Sequence, residues 1–242
     1  MPAMRNALEF YNSSPVNVLE ANMIKEIFEW DTYNWSRVLP FWNAHLKGNN
    51  LTCLELGARR GGPSLWLSLH GHEVLCTDIE NPEEYALPFH QKHAAERISY
   101  DALDALNIPY ENHFDVVVFK SILGGISRDG ADANKEKVMA QIYKCLKPGG
   151  QLFFAENLEG SSLHKYVRGK TRAWGNSWNY LQYDQCEKLF SNFAEKHLIT
   201  HGYFSAFGPN DFFKRILGLV DGLINPLLSP SKKYILFGVC KK

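Results

Sequence analysis

The chain changes character where its apolar spacing changes. Up to residue 48, apolar side chains recur at helical intervals: Val18-Leu19, Met23-Ile24 and Ile27-Phe28, then Trp35 and the stretch from Val38 to Trp42. This predicts two helices ending near Gly48-Asn-Asn50 and sets residues 1–48 apart as an N-terminal helical cap. From Leu51 the apolar runs become short and continuous, at 52–56, 73–76, 97–100, 114–119 and 151–155. Helix-like segments at 63–70, 82–95 and 133–146 alternate with them. Continuous apolar strands alternating with helices predict a parallel sheet covered on both faces. Beyond it, 183–193 looks helical and 197–207 and 234–240 look like strands, with a loop at 208–233 between them. A long connection of this kind predicts an antiparallel pair at the sheet edge. Residues 49–242 therefore read as one domain, with substrate-side insertions near 158–182 and 208–233.

Chemistry concentrates where the runs end. After the first comes Glu55-Leu-Gly57-Ala58-Arg59-Arg-Gly61, and the second leads into Asp78-Ile79. A strand ending in an acid, a glycine turn, a helix and another strand ending in an acid suit a nucleoside-bearing ligand. Glycine lets the backbone approach the ligand, and a carboxylate accepts hydrogen bonds from ribose hydroxyls. A dinucleotide turn wants G-x-G-x-x-G, with glycine where Arg59 stands, so a ligand without a pyrophosphate is expected. The plainer alternative is that Gly57 and Gly61 only turn the chain while Asp78 caps a helix. After the third run, Asp104-Ala105 and Ile108-Pro109 place a carboxylate in a strand-end loop, able to accept from an exocyclic amine. Lys120 closes the fourth run. Lys147-Pro-Gly-Gly150 precedes the fifth, which leads into Glu156-Asn157.

In order and spacing these elements resemble the class I S-adenosylmethionine-dependent methyltransferases, from Leu51 to about Asn157, with a continuation to Lys242. The resemblance rests on E-x-G-x-x-x-G, the acid after the second strand, the D-A-x-x-L/I-P loop, F-D-V-V opening the fourth strand and L-K-P-G-G before the fifth. It implies an α/β, Rossmann-like fold: a seven-stranded, mostly parallel sheet with helices on both faces and an antiparallel C-terminal hairpin. It also implies S-adenosyl-L-methionine as cofactor. Glu55, Gly57, Ala58, Arg59 and Gly61 would then line its methionine end, Asp78 its ribose, Ile79 its adenine face and Asp104 and Ala105 the adenine edge, with Lys120 near the sulfonium. Two positions depart from the pattern: Arg59 replaces the middle glycine, and Gly124-Gly125 stands where many relatives carry a more polar pair. More narrowly, the segments 55–59, 119–126 and 154–157, with His164 and Arg168, look similar to methyltransferases associated with bacterial cell-surface polysaccharide synthesis.

In open α/β sheets a ligand lies beyond the carboxyl ends of the strands, which makes Lys120, Glu156 and Asn157 candidates. The segment 161–178 is dense in His, Arg and Trp, and aromatic faces with such groups suit a sugar or an anion. The expected assignment is Glu156 and His164 as catalytic groups, with Asn157, Arg168 and Trp174 on the substrate. The bland counterparts are a structural His164, a packed helix face shared by Trp174 and Trp178, and a solvated basic face of Lys165, Arg168, Lys170 and Arg172.

Composition removes other classes. Lys and Arg number 26 and Asp and Glu 26, so no basic excess points to a nucleic-acid partner. The five cysteines are scattered without C-x-x-C spacing, which predicts neither a disulfide framework nor a metal site. The first 20 residues lack the pattern of a secretory leader, so a cytoplasmic protein is expected. The apolar stretch 216–228 is roughly two-thirds of a bilayer span and is broken by Asp221, Asn225 and Pro226. Packing on the domain's own core is the expected fate of 212–228; a lid, a subunit contact and a lipid-facing helix are the alternatives. The expected activity is methyl transfer to a small molecule or glycan, such as sugar O-methylation. The rivals are an aminopropyl transferase or nicotinamide-dependent oxidoreductase on the same scaffold, and a non-catalytic scaffold protein.

Overall fold

A computed structural model describes residues 21–29, 32–171 and 178–242. Helices α1 (Ala21–Phe28), α2 (Thr32–Trp35) and α3 (Val38–His45) precede β1 (Thr52–Leu56), α4 (Gly62–Leu69), β2 (Glu73–Asp78), α5 (Glu83–Lys92) and β3 (Ile98–Ala102). Then come β4 (Phe114–Lys120), α6 (Leu123–Ile126), α7 (Ala133–Cys145), β5 (Leu146–Asn157) and α8 (Ser162–Thr171). The tail comprises α9 (Cys186–Leu189), β6 (Glu195–His201), α10 (Asp211–Ile224) and β7 (Ile235–Lys241).

The strands form one seven-stranded sheet in the order β3-β2-β1-β4-β5-β7-β6. Strands β1 to β5 are parallel, and β7 runs antiparallel to both β5 and β6. The antiparallel pair expected at the edge is there, with β7 inside and β6 outermost. All but the last residue of β7 are buried, whereas β6 opens with three exposed residues, Glu195 to His197. The continuously apolar strand takes the covered position and the mixed one takes the edge.

Other boundaries moved for local reasons. Strand β6 stops at His201, where Gly202 turns the chain at a φ of +79°, instead of running to Phe207. Strand β5 starts at Leu146, and the Lys-Pro-Gly-Gly residues bulge out of it because Leu146 pairs with Phe114 and Gln151 with Val116. The span 183–193 keeps only a 3-10 turn and the four-residue α9. The loop expected at 208–233 contains the fourteen-residue α10.

Alternation along the strands divides the core between the two faces of the sheet. Val117 and Phe119 of β4 pack with Leu54, Phe154 and α7 residues Val138 and Ile142. Val116 and Val118 face Phe153, Trp66 of α4 and the cap residues Phe28, Trp35 and Trp42. The cap helices therefore share a core with the sheet. Trp42 and Trp66 pack as a tilted pair with centroids 5.1 Å apart. A Cβ on Gly62 would come within 2.4 Å of the Ile27 carbonyl oxygen, so only glycine lets α1 approach the start of α4 this closely. The seam holds α1 against the carboxyl ends of β1 and β4.

Candidate active site

Glu55 is the penultimate residue of β1 and is buried. Its Oε2 accepts the backbone N–H of Ser64 at 2.8 Å and the Ser64 hydroxyl, both at the start of α4. Burial pushes its carboxyl up to about 8, against the pull of the Ser64 bonds and of nearby Lys120. The turn that follows keeps positive φ at Gly57, Arg59 and Gly61. Arg59, standing where the pattern has glycine, adopts a φ of +51° and so preserves the backbone course, at a strain of about 1 kcal/mol or more. Gly57 and Gly61 are needed for packing: a Cβ would meet Ile122 at 2.4 Å and His90 at 2.5 Å respectively.

At the end of β2, Asp78 accepts the Arg59 N–H at 2.8 Å through Oδ2 and the Ile79 N–H at 2.7 Å through Oδ1. Asp78 is half-buried, so lone pairs on its oxygens remain open to further donors beside the turn. Ile79 is 68% exposed next to it. In the loop after β3 the Asp104 carboxylate bonds the Leu106 N–H and the Asn107 amide, both at 2.8 Å, so it organises its own turn. Ala105 beside it is half-buried.

A cavity of about 590 Å³ opens at the carboxyl ends of β1, β4 and β5. It is lined by Glu55, Gly57, Ala58 and Arg59 of the turn, Ile27 and Glu29 of the cap, Lys120 and Ser121 after β4, Asn157 of β5, and Arg168, Trp178 and Tyr180 beyond it. Lys120 is nearly enclosed; its Nζ donates to the Phe28 carbonyl at 3.0 Å and lies 3.9 Å from Glu29. Burial lowers its ammonium to about 8, with Glu29 and Glu55 opposing the shift. Ser121 holds a φ of +55°, uncommon for a residue with a side chain, and its hydroxyl accepts the Asn157 amide at 2.9 Å. The Arg168 guanidinium lies 4.0 Å over the Tyr180 ring and donates to the carbonyls of Leu158 and Glu159.

Two expected catalytic residues fall outside this cavity. Glu156 is wholly buried, and its two oxygens are taken by the N–H groups of Leu123 and Asn157, each at 2.8 Å. Its carboxyl is pushed up to about 7 by burial, but it holds the start of α6 against β5 and meets no open space. His164 is also buried. Its Nε2–H donates to the Tyr203 carbonyl at 2.9 Å, its Nδ1 takes the Ser161 hydroxyl at 2.8 Å, and its ring stacks on Phe207. Burial pushes it down to about 4, so it is a neutral packing residue at neutral pH. Asn157 and Arg168 do line the cavity, and Trp174 lies outside the described residues. Among the described residues no cluster of metal-ligating side chains occurs.

Tyr180, Ser121 and Glu29 are wall residues that sequence reasoning missed, and Trp178, set against a packed helix face there, is a fourth. Trp178 follows α8 rather than forming part of its face, and its indole lies on Gly124 and Gly125, where added Cβ atoms would meet it at 1.9 and 3.1 Å. The glycine pair that looked like a missing polar group is the seat of an aromatic wall. Nor is the basic face of α8 simply solvated: Lys165 pairs with Glu159 at 2.7 Å and Lys170 lies over Tyr166.

Residues 54–154 match the methyltransferase domain family. Among solved structures, phosphoethanolamine N-methyltransferase 2 of Haemonchus contortus, bound to S-adenosyl-L-methionine, superposes with a TM-score of 0.62 at 19% identity, over 91% of this chain and 56% of that one. This chain thus spans little more than half the length of that protein. A Bacillus halodurans protein taken to be a methyltransferase gives 0.60 at 14% identity, over 86% and 99%. The [4+2]-cyclase SpnF gives 0.53 at 14% identity, over 91% and 78%. A comparison with curated proteins gives no match. At such identities the structural likeness is one of fold. Residues 54–154 thus match a methyltransferase domain, and the fold around them is shared with a methyltransferase that binds S-adenosyl-L-methionine.

Proposed function

We propose that the chain transfers the methyl group of S-adenosylmethionine to a small molecule or a glycan, with O-methylation of a sugar as the specific reaction. The supporting observation is one cavity in which the β1 turn meets the groups beyond β4 and β5. The residues present fit the cofactor: buried Glu55 for an ammonium group, Asp78 for the ribose diol and exposed Ile79 for the base. Asp104 and Ala105 complete the adenine side through their loop. When bound, the cofactor supplies an electrophilic methyl on a sulfonium.

The chain's own residues orient and dry the reaction. In-line displacement draws much of its rate from positioning, and the walls of Ile27, Pro63 and Trp178 exclude water from the cavity. Asn157 and Arg168 stand on the acceptor side, where an aromatic wall with arginine suits a sugar. An acceptor hydroxyl must give up a proton, and Lys120 is the cavity group placed to take it in its neutral form.

Calorimetry with S-adenosylhomocysteine tests the cofactor. Asp78→Ala is expected to weaken binding about tenfold or more, or roughly 1.4 kcal/mol; no heat from the unaltered protein, or equal affinity in the variant, overturns it. A tritiated-methyl screen against cell extracts tests the acceptor, and label entering only protein or nucleic acid overturns the acceptor class.

A further inference from the structure

The outward face of α10 is apolar along its length. Phe212, Ile216, Leu219 and Leu223 share one side of the helix, and Leu227 continues the line past its end. Their exposures run from 43% at Ile216 to 85% at Leu227. The helix attaches to the protein by its other side. Gly218 lies on the Tyr33 ring, where a Cβ would approach to 2.2 Å. Buried Asp221 accepts the N–H groups of Phe204 and Ser205 and the Asn34 amide. A surface helix ordinarily turns its apolar stripe to the core. Here small and polar residues face inward and the stripe faces out.

The position of α10 is equally specific. It joins the end of β6 to the start of β7, and Ile235 at that start pairs with both His201 and Asn157. The helix therefore sits at the end of the sheet where the cavity opens. Charge supplies a third observation. Residues 204–234 carry Lys214, Arg215, Lys232 and Lys233 against only Asp211 and Asp221. Asp211 is paired with Lys25 at 2.8 Å and Asp221 is buried, while Arg215 and Lys232 are exposed.

We propose that α10 is an interfacial helix that seats the protein on an anionic lipid surface, with its apolar stripe at the headgroup boundary and Arg215 and Lys232 toward the lipid phosphates. Fourteen residues give a helix of about 21 Å, short of a bilayer span and suited to lying in the plane of the surface. No helix among the described residues is long and apolar enough to cross a membrane. A second copy of the chain is a poorer occupant. The exposed area of the stripe's five side chains falls short of the roughly 800 Å² of accessible surface per partner that a stable interface buries. The proposal concerns the surface alone and does not depend on which acceptor the cavity takes.

Flotation with vesicles of phosphatidylcholine, with and without one-third phosphatidylglycerol, tests it. The protein is expected to float with the anionic vesicles about tenfold better than with the neutral ones, and less at high salt. Leu219→Gln combined with Leu223→Gln alters two exposed residues, so the unfolding curve should be unchanged while vesicle binding falls about tenfold. Arg215→Glu should lose much of the preference for anionic vesicles. No flotation on either vesicle, or equal flotation by the double variant, overturns the proposal. So does light scattering that shows a dimer dissociated by the double variant without vesicle binding, since the stripe would then be a contact between copies.

Discussion

The ends of β1 and β5 carry the same side chain in the same place. Glu55 and Glu156 are each the penultimate residue of a parallel strand, each is buried, and each accepts an N–H from the start of a helix. Burial raises both carboxyls, to about 8 and about 7. They differ in what remains unclaimed. Both Ser64 bonds fall on one oxygen of Glu55, and the residue lines the cavity. Glu156 is gripped on one oxygen by Leu123, from the helix after β4, and on the other by its own neighbour Asn157. A strand-end acid is available for chemistry only where the adjoining backbone leaves an oxygen over. A raised pKa marks both positions and separates neither.

The largest expected effect tests that distinction directly. Glu55→Gln should weaken S-adenosylhomocysteine binding by about ten- to a hundredfold, as suits a charged hydrogen bond of roughly 1.5–3 kcal/mol, while Glu156→Gln should stay within about twofold. Equal losses by calorimetry would erase the comparison. Stability should show the reverse order. Glu156→Gln turns an amide N–H toward a backbone donor and should cost about 1–3 kcal/mol in urea unfolding; an unchanged midpoint would mean the two bonds matter little.

Proton linkage sharpens the contrast further. An ammonium ligand beside Glu55 favours its carboxylate, so binding near pH 7 should release a fraction of a proton. Calorimetry in buffers of different ionisation enthalpy reads this, and the release should vanish in Glu55→Gln but persist in Glu156→Gln. The smallest effect is on the pH profile of stability. The raised carboxyls hold protons that the unfolded chain gives up near 4.5, so stability present below that pH is lost as pH rises through about 7 and about 8. Buried His164 and His201, pushed down to about 4 and about 3, act oppositely: stability present above their ordinary 6.5 is lost as pH falls. From these four groups the melting temperature should be level between about pH 4.5 and 6.5, where the opposing slopes cancel, and fall on either side, and Glu156→Gln should flatten the fall above pH 6.5. An alkaline slope identical in both proteins would contradict the assignment.

The turn proposed to hold the cofactor was legible in the sequence because its geometry is local. Glu55, the turn to Gly61 and Asp78 are placed by two strand ends and one helix start, all within about one βαβ unit. The far wall of the cavity depends on contacts between distant segments, which composition does not show. His164 and Glu156 looked catalytic until their partners came from Tyr203 and Leu123. Trp178 was hidden because its seat, Gly124-Gly125, is 53 residues away in the chain and reads alone as a gap in a motif. In α10 the periodicity was readable and its direction was not, since Asp221 and Gly218 decide which side faces inward.

The interleaving of β7 between β5 and β6 constrains the order of folding. As the chain is synthesised, β6 emerges before the strand that bonds it, and β5 waits with one edge bare through the length of α10. The whole right-hand edge of the sheet can close only once residues 235–241 have arrived, which makes the interval between the two strands the period when exposed backbone is most open to wrong pairing.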